Sequence, residues 1–128
     1  MKKKIAILGS TGSIGKSLLK IISKDKKNIK VELLTANKNY KVILKQAEKF
    51  NVKNVIITDS NSYNILKKRV NNKIKIYNNY DNFKKIFPKK IDYVMSSIVG
   101  LNGLLPTINI IKHTKKIAIA NKESIICG

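Results

Sequence analysis

Three glycines, Gly9, Gly12 and Gly15, recur at three-residue spacing near the start of the chain, with serine and threonine between them. A short apolar run at residues 5–8 precedes them, and apolar residues at helical spacing follow at residues 16–22. This order predicts a strand, a glycine turn and a helix. A helix N-terminus carries partial positive charge and unpaired N–H groups, and glycine lets backbone approach a ligand closely. The stretch therefore predicts a phosphate-binding turn. Because the spacing is not the strict Gly-x-Gly-x-x-Gly pattern, a turn that binds nothing is the alternative.

A second polar cluster, Asn37-Lys38-Asn39, follows the next strand-like run at residues 30–36. Nucleotide folds that prefer NAD place an acid about 20 residues past the glycine loop, where it binds the ribose 2′-hydroxyl. No acid stands there, since Glu32 falls inside the run and comes too early. A lysine between two amides suits a ribose 2′-phosphate, so the cluster favours NADP over NAD. The alternative is a polar turn in a chain rich in lysine and asparagine.

Two later loops also follow strand-like runs. Residues 96–107 contain serines and glycines, and such small residues let a flat ring lie close to the backbone. The alternative is a loop that only leads into the next helix. Asn121-Lys122-Glu123-Ser124 offers candidate contacts for nicotinamide, ribose or a substrate phosphate, or a solvated helix cap.

These clusters are separated by alternating strand-like and helix-like segments. Strands are predicted at residues 5–8, 30–36, 54–58, 73–77, 91–95 and 116–120, and helices at 16–22, 40–50, 60–70, 79–87 and 103–112. This alternation predicts an α/β fold, a Rossmann-like doubly wound, mostly parallel sheet with helices on both faces. Ligands of such sheets bind outside the carboxyl ends of the strands. All four polar clusters are expected at that edge.

Length and composition set the class of protein. The chain has 128 residues, 43% of them hydrophobic, and one cysteine, Cys127. We expect one domain, residues 1–128, without a disulfide, in a reducing compartment such as the cytoplasm. No apolar stretch is long enough to cross a membrane, so no membrane partner is expected. The lysines at the start of the chain precede a run too short for a signal peptide.

The net charge of +20 suggests nucleic acid at first sight. The lysines are scattered along the whole chain, however, and Arg69 is the one arginine. Arginine forks and aromatic stacking platforms are therefore missing. A compositional bias explains the charge better, and no nucleic-acid partner is expected.

Other patterns in the chain suggest three alternative functions. Gly15-Lys16-Ser17 ends like a P-loop, but Ser10 stands where that motif needs its first glycine. Asp59, after an apolar strand, imitates the magnesium-binding Asp of such proteins. Tyr63 and Lys67 have the spacing of the Tyr-x-x-x-Lys pair of short-chain dehydrogenases, but come too early in the chain. The third alternative is a non-enzymatic NADP-binding or nucleotide-sensing module.

Four blocks of the sequence carry a similarity that runs through the whole chain with the same spacing. The blocks are Leu8-Gly9-Ser10-Thr11-Gly12-Ser13-Ile14-Gly15, Ala36-Asn37-Lys38-Asn39, Ile98-Val99-Gly100 with Gly103-Leu104-Leu105-Pro106-Thr107, and Ala120-Asn121-Lys122-Glu123-Ser124. The last block, following such a glycine loop, is highly specific. Together the blocks resemble the 1-deoxy-D-xylulose 5-phosphate reductoisomerase family. The resemblance implies NADPH-dependent conversion of 1-deoxy-D-xylulose 5-phosphate to 2-C-methyl-D-erythritol 4-phosphate in the non-mevalonate isoprenoid pathway. It also implies a sugar-phosphate substrate, a divalent metal (Mg or Mn) and a homodimer.

The resemblance also implies roles for individual residues. The cofactor diphosphate would be held by Thr11, Gly12, Ser13 and Ile14. The adenosine ribose and its 2′-phosphate would meet Asn37, Lys38 and Asn39, where the family often has glycine at the position of Asn37. Asn121 and Glu123 would lie by the nicotinamide, and Lys122 would bind the substrate.

One departure from the family is large. Its metal-binding carboxylates, substrate-phosphate site and mobile flap lie beyond the Asn-Lys-Glu-Ser block, and this chain has only seven acidic residues. We therefore expect an NADPH-binding domain alone, as a fragment or a truncated product, with no catalytic or metal-binding residue. Such a chain is expected to bind NADPH weakly and not to turn over substrate.

Overall fold

The computed structural model describes residues 2–98 and 103–119 of the chain. Six strands form one sheet, and every recorded pairing between neighbouring strands is parallel. The strands are β1 (Lys3–Leu8), β2 (Ile29–Ala36), β3 (Asn54–Ile57), β4 (Lys75–Tyr77), β5 (Ile91–Ser96) and β6 (Thr114–Ile119). The helices are α1 (Ser13–Ile22), α2 (Tyr40–Lys49), α3 (Ser60–Arg69), α4 (Phe83–Ile86) and α5 (Leu104–Ile110), with 3-10 turns at Ser23–Asp25 and Ile111–His113.

Apolar side chains cover both faces of the sheet. In β1, Ile7 packs under α1, α2 and α3, whereas Ala6 and Leu8 point to the opposite face, where α4 and α5 lie. All three are fully buried. Alternate residues of a strand point to opposite faces, so a strand buried on both sides reads as one continuous apolar run. The burial of each large aliphatic side chain contributes about 1.5–3 kcal/mol. The doubly wound α/β fold predicted from the sequence is confirmed.

The strand order places the first strand in the middle of the sheet. The order is β4-β3-β2-β1-β5-β6, so β1 lies between β2 and β5. Strands β2, β3 and β4 lie in sequence on one side of β1, and β5 and β6 lie on the other. Ligands of open parallel sheets bind at such a switch point, outside the carboxyl ends of the strands. The turns after β1, β2 and β5 are therefore neighbours at that edge.

The bounds of several predicted elements differ from those in the structure, among them α1, which begins at Ser13 rather than Lys16. The fourth helix is only Phe83–Ile86, because the Asn79 side chain accepts from the N–H of Asp81 and from the amide of Asn82 and so forms a turn where a helix was expected. β4 begins at Lys75 rather than Lys73, whose N–H bonds the Asn71 side chain. β6 begins two residues earlier than predicted, at Thr114.

Within the described ranges, no helix combines the length and the apolar character that a membrane crossing requires.

Candidate nucleotide-binding site

Glycine is needed at two positions near the turn after β1, at Gly9 for its backbone conformation and at Gly15 for space. Gly9 has φ +80°, and a Cβ there would lie 3.0 Å from the Ser97 carbonyl oxygen. Gly15, in the first turn of α1, is buried, and a Cβ there would lie 2.5 Å from the carbonyl oxygen of Gly9. The first turn of α1 therefore packs directly against the backbone of the glycine turn.

Hydrogen bonds to residues of β2 and to the end of β5, buried or half-buried, fix this turn. Thr35, fully buried in β2, accepts the N–H of Gly9 at its hydroxyl (2.9 Å) and the N–H of Ser10 at its carbonyl (2.9 Å). The Tyr80 hydroxyl also donates to the Thr35 hydroxyl (3.0 Å), and burial raises the pKa of Tyr80, so this donor stays protonated. From the end of β5, Ser97 donates through its N–H and its hydroxyl to the Leu8 carbonyl, both at 2.8 Å.

The helix α2 reaches the same turn through Gln46. The Ser10 hydroxyl donates to Gln46 Oε1 (2.8 Å), and Gln46 Nε2 donates to the Ser10 carbonyl (2.9 Å). The sequence analysis missed Thr35, Gln46 and Tyr80. A signal for Gln46 was present, because this polar residue lies on the apolar stripe of α2, three residues after Ile43 and four before Phe50.

The N-terminus of α1 lacks a cap of its own. Gly12 is the N-cap residue, no side chain bonds the helix end there, and the first turn of α1 contains no acid. A Cβ on Gly12 would meet only the Gly9 carbonyl oxygen, at 3.9 Å, so the space beside it is open. Thr11 is half-buried, whereas Gly12, Ser13 and Ile14 are exposed. An uncapped helix N-terminus beside open space at a glycine fits a diphosphate group.

The four predicted residues of this turn are thus brought together at one helix end. Within the residues that the structure describes, no acceptor is recorded for the N–H groups of Thr11, Gly12, Ser13 and Ile14. Unpaired backbone donors at a helix N-terminus attract anions. The arrangement therefore suits the role that the sequence predicts for these four residues, which stays a prediction.

The corner after β2, formed by Asn37, Lys38 and Asn39, is exposed throughout. Two of its three side chains already have partners. Asn37 Nδ2 donates to the Thr58 hydroxyl (2.7 Å), and Asn39 Oδ1 accepts the N–H of Val42 (3.3 Å) as the N-cap of α2. The Lys38 side chain is the cation at this corner. Of the three predicted residues, Lys38 has the chemistry best suited to a phosphate.

An acid shares the corner with Lys38. Asp59 caps α3, accepting the N–H of Ser62 (3.0 Å) and its hydroxyl (2.8 Å). These two donors lower the pKa of the Asp59 carboxyl, and the positive charge of Lys38 lowers it further. Asp59 is therefore a helix cap and a negative charge close to Lys38.

Asn121, Lys122, Glu123 and Ser124 lie outside the described residues, as do Val99 and Gly100 of the loop after β5. The described serines of that loop, Ser96 and Ser97, form hydrogen bonds to other residues of the chain. The Ser96 hydroxyl lies 2.6 Å from that of Thr107, and Ser97 bonds the glycine turn.

Neither competing motif is assembled for catalysis. Lys67 Nζ donates to the Tyr63 hydroxyl (3.0 Å) on α3, whose main neighbours are α2, β3 and β4. Tyr63 packs on the core below α3, and Lys67 is exposed. Ser10, at the position of the missing P-loop glycine, is buried and bonded to Gln46. Across residues 2–98 and 103–119, three or more His, Cys, Asp or Glu side chains do not come together as a metal site.

Comparisons with known proteins agree with this geometry. Residues 5–128 match the family model described as 1-deoxy-D-xylulose 5-phosphate reductoisomerase. The chain belongs to this family. It is 64% identical to the 1-deoxy-D-xylulose 5-phosphate reductoisomerase of Pelagibacter ubique, over 98% of this chain and 33% of the relative. The relative from Phocaeicola vulgatus is 43% identical, over 98% of this chain and 34% of that protein.

Solved structures of the family have the same fold. The reductoisomerase from Zymomonas mobilis in complex with NADPH superposes with a TM-score of 0.88 and 33% identity, over 98% of this chain and 34% of that chain. A reductoisomerase in complex with NADPH, fosmidomycin and magnesium superposes with a TM-score of 0.85 and 30% identity, over 97% and 31%. The chain thus spans about a third of the length of the reductoisomerases that it matches.

Proposed function

We propose that this chain, residues 1–128, is the NADPH-binding domain of a reductoisomerase and binds the cofactor at the carboxyl edge of its sheet. The observation that carries the proposal is the uncapped N-terminus of α1 beside the open space at Gly12. The cofactor diphosphate lies against Thr11, Gly12, Ser13 and Ile14, where backbone N–H groups and the helix dipole stabilise its charge. The NADPH bound to the Zymomonas mobilis relative supports this choice of ligand.

Lys38 sets the preference for NADPH over NADH. Its ammonium pairs with the adenosine 2′-phosphate, and the amide groups of Asn37 and Asn39 keep the corner polar. A charge-assisted hydrogen bond to phosphate contributes about 1.5–3 kcal/mol. Asn121 and Glu123 take the nicotinamide half, and Lys122 binds the sugar phosphate, as the resemblance implies.

The reaction of the whole protein is the conversion of 1-deoxy-D-xylulose 5-phosphate to 2-C-methyl-D-erythritol 4-phosphate. NADPH supplies the hydride for the reductive step. The residues of this chain bind and orient the cofactor, and the protein works as a homodimer with Mg or Mn. The described residues do not form a metal site. The single cysteine supports a cytoplasmic compartment.

A titration of the 128-residue chain with NADPH and NADH, followed by nucleotide fluorescence, tests the proposal. We expect NADPH to bind at least about tenfold more tightly than NADH, a difference of ~1.4 kcal/mol. Lys38→Met should remove that difference and leave NADH binding unchanged. Lys41→Met, a change of an exposed lysine on α2, is the matched control. Equal affinity of the wild-type chain for both nucleotides, or no binding at millimolar concentration, would contradict the proposal.

Turnover is a separate question. That the isolated chain does not convert substrate stays a prediction, and product formation with NADPH and Mn tests it. Product from the chain alone would also rule out a non-enzymatic nucleotide-sensing module.

A further inference from the structure

We infer that Gln46 orients the peptide between Ser10 and Thr11 and so presents the N–H of Thr11 to the cofactor diphosphate. Gln46 is thus a positioning residue, and this inference rests on the proposed function. It is not a member of any cluster that the sequence analysis singled out, and it lies 36 residues from Ser10 in the chain.

Gln46 holds Ser10 by two hydrogen bonds at once. Its Oε1 accepts from the Ser10 hydroxyl at 2.8 Å, and its Nε2 donates to the Ser10 carbonyl at 2.9 Å. Ser10 is fully buried, and its N–H is bonded to the Thr35 carbonyl. Both peptide groups of Ser10 are therefore fixed, one by β2 and one by α2.

The orientation of the next amide follows from peptide geometry. In a planar trans peptide, the carbonyl of one residue and the N–H of the next point in opposite directions. Since the Ser10 carbonyl points at Gln46, the N–H of Thr11 points away from α2. Within the described residues, no acceptor is recorded for that N–H. A free donor held in a fixed direction beside a helix N-terminus is what a diphosphate oxygen requires.

The position of Gln46 on α2 supports a specific role. Its neighbours on the same stripe, Ile43 and Phe50, pack into the core below the helix. An aliphatic side chain would bury more easily there, since a polar group leaving water costs free energy unless it is hydrogen-bonded. In this structure, both polar atoms of Gln46 are used on Ser10.

The test separates the two ends of the cofactor. Isothermal titration of the 128-residue chain with NADPH and with adenosine 2′-monophosphate, which lacks the diphosphate, is compared for wild type and Gln46→Met. Methionine keeps the length of the side chain and removes both hydrogen bonds. We expect NADPH affinity to fall about tenfold and adenosine 2′-monophosphate affinity to change by less than about twofold. An equal loss for both ligands, or no loss for either, overturns the inference.

A loss of stability alone must be excluded. Leu66→Ala removes a buried side chain of α3, remote in the sequence from the turn, and serves as the destabilised control. It should lower the melting temperature without lowering NADPH affinity at a temperature where the chain is folded. If Leu66→Ala weakens NADPH as much as Gln46→Met does, Gln46 acts only through stability and the inference fails.

The conservative variant Gln46→Glu should regain cofactor affinity at low pH. In Gln46→Glu, the carboxylate faces the Ser10 carbonyl and repels it, but the protonated acid restores one donor and one acceptor. Relative to wild type, we expect NADP⁺ affinity of this variant to be reduced at high pH and to recover as the pH falls through the pKa of the new carboxyl. A variant-to-wild-type ratio that does not change with pH contradicts the inference.

Failure of the proposed function can be told apart from failure of this inference. If the wild-type chain binds neither nucleotide, the proposed function is wrong. The part of the inference that concerns the orientation of the peptide between Ser10 and Thr11 is then decided by amide ¹⁵N–¹H spectra. Shifts in Gln46→Met that are largest at Thr11 and Gly12 support the inference, and unchanged shifts there contradict it.

Discussion

The two halves of the candidate site are built in opposite ways. The glycine turn after β1 is tied by buried and half-buried hydrogen bonds to β2, β5 and α2, through Thr35, Ser97 and Gln46. The corner after β2 is exposed, and Lys38 lies at the surface there. Both follow neighbouring strands of the same sheet.

This contrast shows that the shape of the glycine turn depends on the rest of the fold, whereas the corner after β2 does not. The turn has its shape only when three other elements are in place, so changes in it should cost stability as well as binding. The corner acts through the charge of one side chain, so changes there should alter affinity and leave the fold intact. Substitutions that separate stability from affinity test this contrast.

The largest effect is expected for Gly15→Ala. The new Cβ would overlap three backbone atoms of Gly9 and Ser10, at 2.5–2.7 Å, and backbone cannot move aside as a flexible side chain can. The free energy of unfolding should fall by about 3 kcal/mol, although alanine has the better helix propensity by about 1 kcal/mol. Urea denaturation measures the loss, and Ser17→Ala, on the exposed face of α1, is the control. A stability equal to that of the control would show that α1 does not need this close contact.

The next effect is expected for Thr35→Val. Valine keeps the shape of the side chain but leaves the N–H of Gly9 and the hydroxyl of Tyr80 without their buried acceptor. The free energy of unfolding should fall by about 2 kcal/mol, the cost of unsatisfied buried donors. Tyr80→Phe removes one of these two bonds and should cost about half as much. Equal losses in the two variants would mean that the Gly9 bond contributes nothing.

The sequence predicted the fold well because its signals are local and repeated. Apolar runs bounded by polar turns predicted all six strands. The shortened α4 was missed because the turn made by Asn79 depends on side-chain bonds that no periodicity shows. The supports of the glycine turn were missed for another reason. Thr35 and Gln46 lie 26 and 36 residues from their partners, and only the sheet order brings them together.

A third substitution, Gly12→Ala, should weaken NADPH binding while costing little stability, in contrast to the large stability loss expected for Gly15→Ala. A Cβ on Gly12 meets only an ordinary contact at 3.9 Å, and its backbone, at φ −77°, is allowed for alanine. The stability loss should stay near ~0.5 kcal/mol, the difference between alanine and glycine at an N-cap. NADPH affinity should fall about tenfold, because the methyl group occupies space that the diphosphate needs. NADPH binding as tight as in wild type would place the diphosphate elsewhere.

The residue types of the exposed corner predicted a phosphate contact, but they did not predict that an acid lies beside Lys38. The sequence analysis treated Asp59 as an imitation of a magnesium-binding acid, and the structure adds that it lies close enough to Lys38 for the lysine's charge to lower its pKa. Asn39 is predicted to contact the ribose, and its side-chain oxygen also caps α2, a bond between side chain and backbone that residue type alone does not show.

The smallest effect is expected for Asp59→Asn. Asparagine is also a good N-cap, so α3 should keep its start. The bonds from Ser62 lower the pKa of Asp59 and keep it negative at neutral pH, where it opposes the binding of a phosphate beside Lys38. Removing that charge should raise NADPH affinity about twofold, since the corner is exposed and solvent screens the interaction. The gain should disappear at about 1 M salt, where the Debye length is ~3 Å. A gain of the same size for NADH, which has no 2′-phosphate, would show that Asp59 acts on another part of the cofactor and would separate it from Lys38.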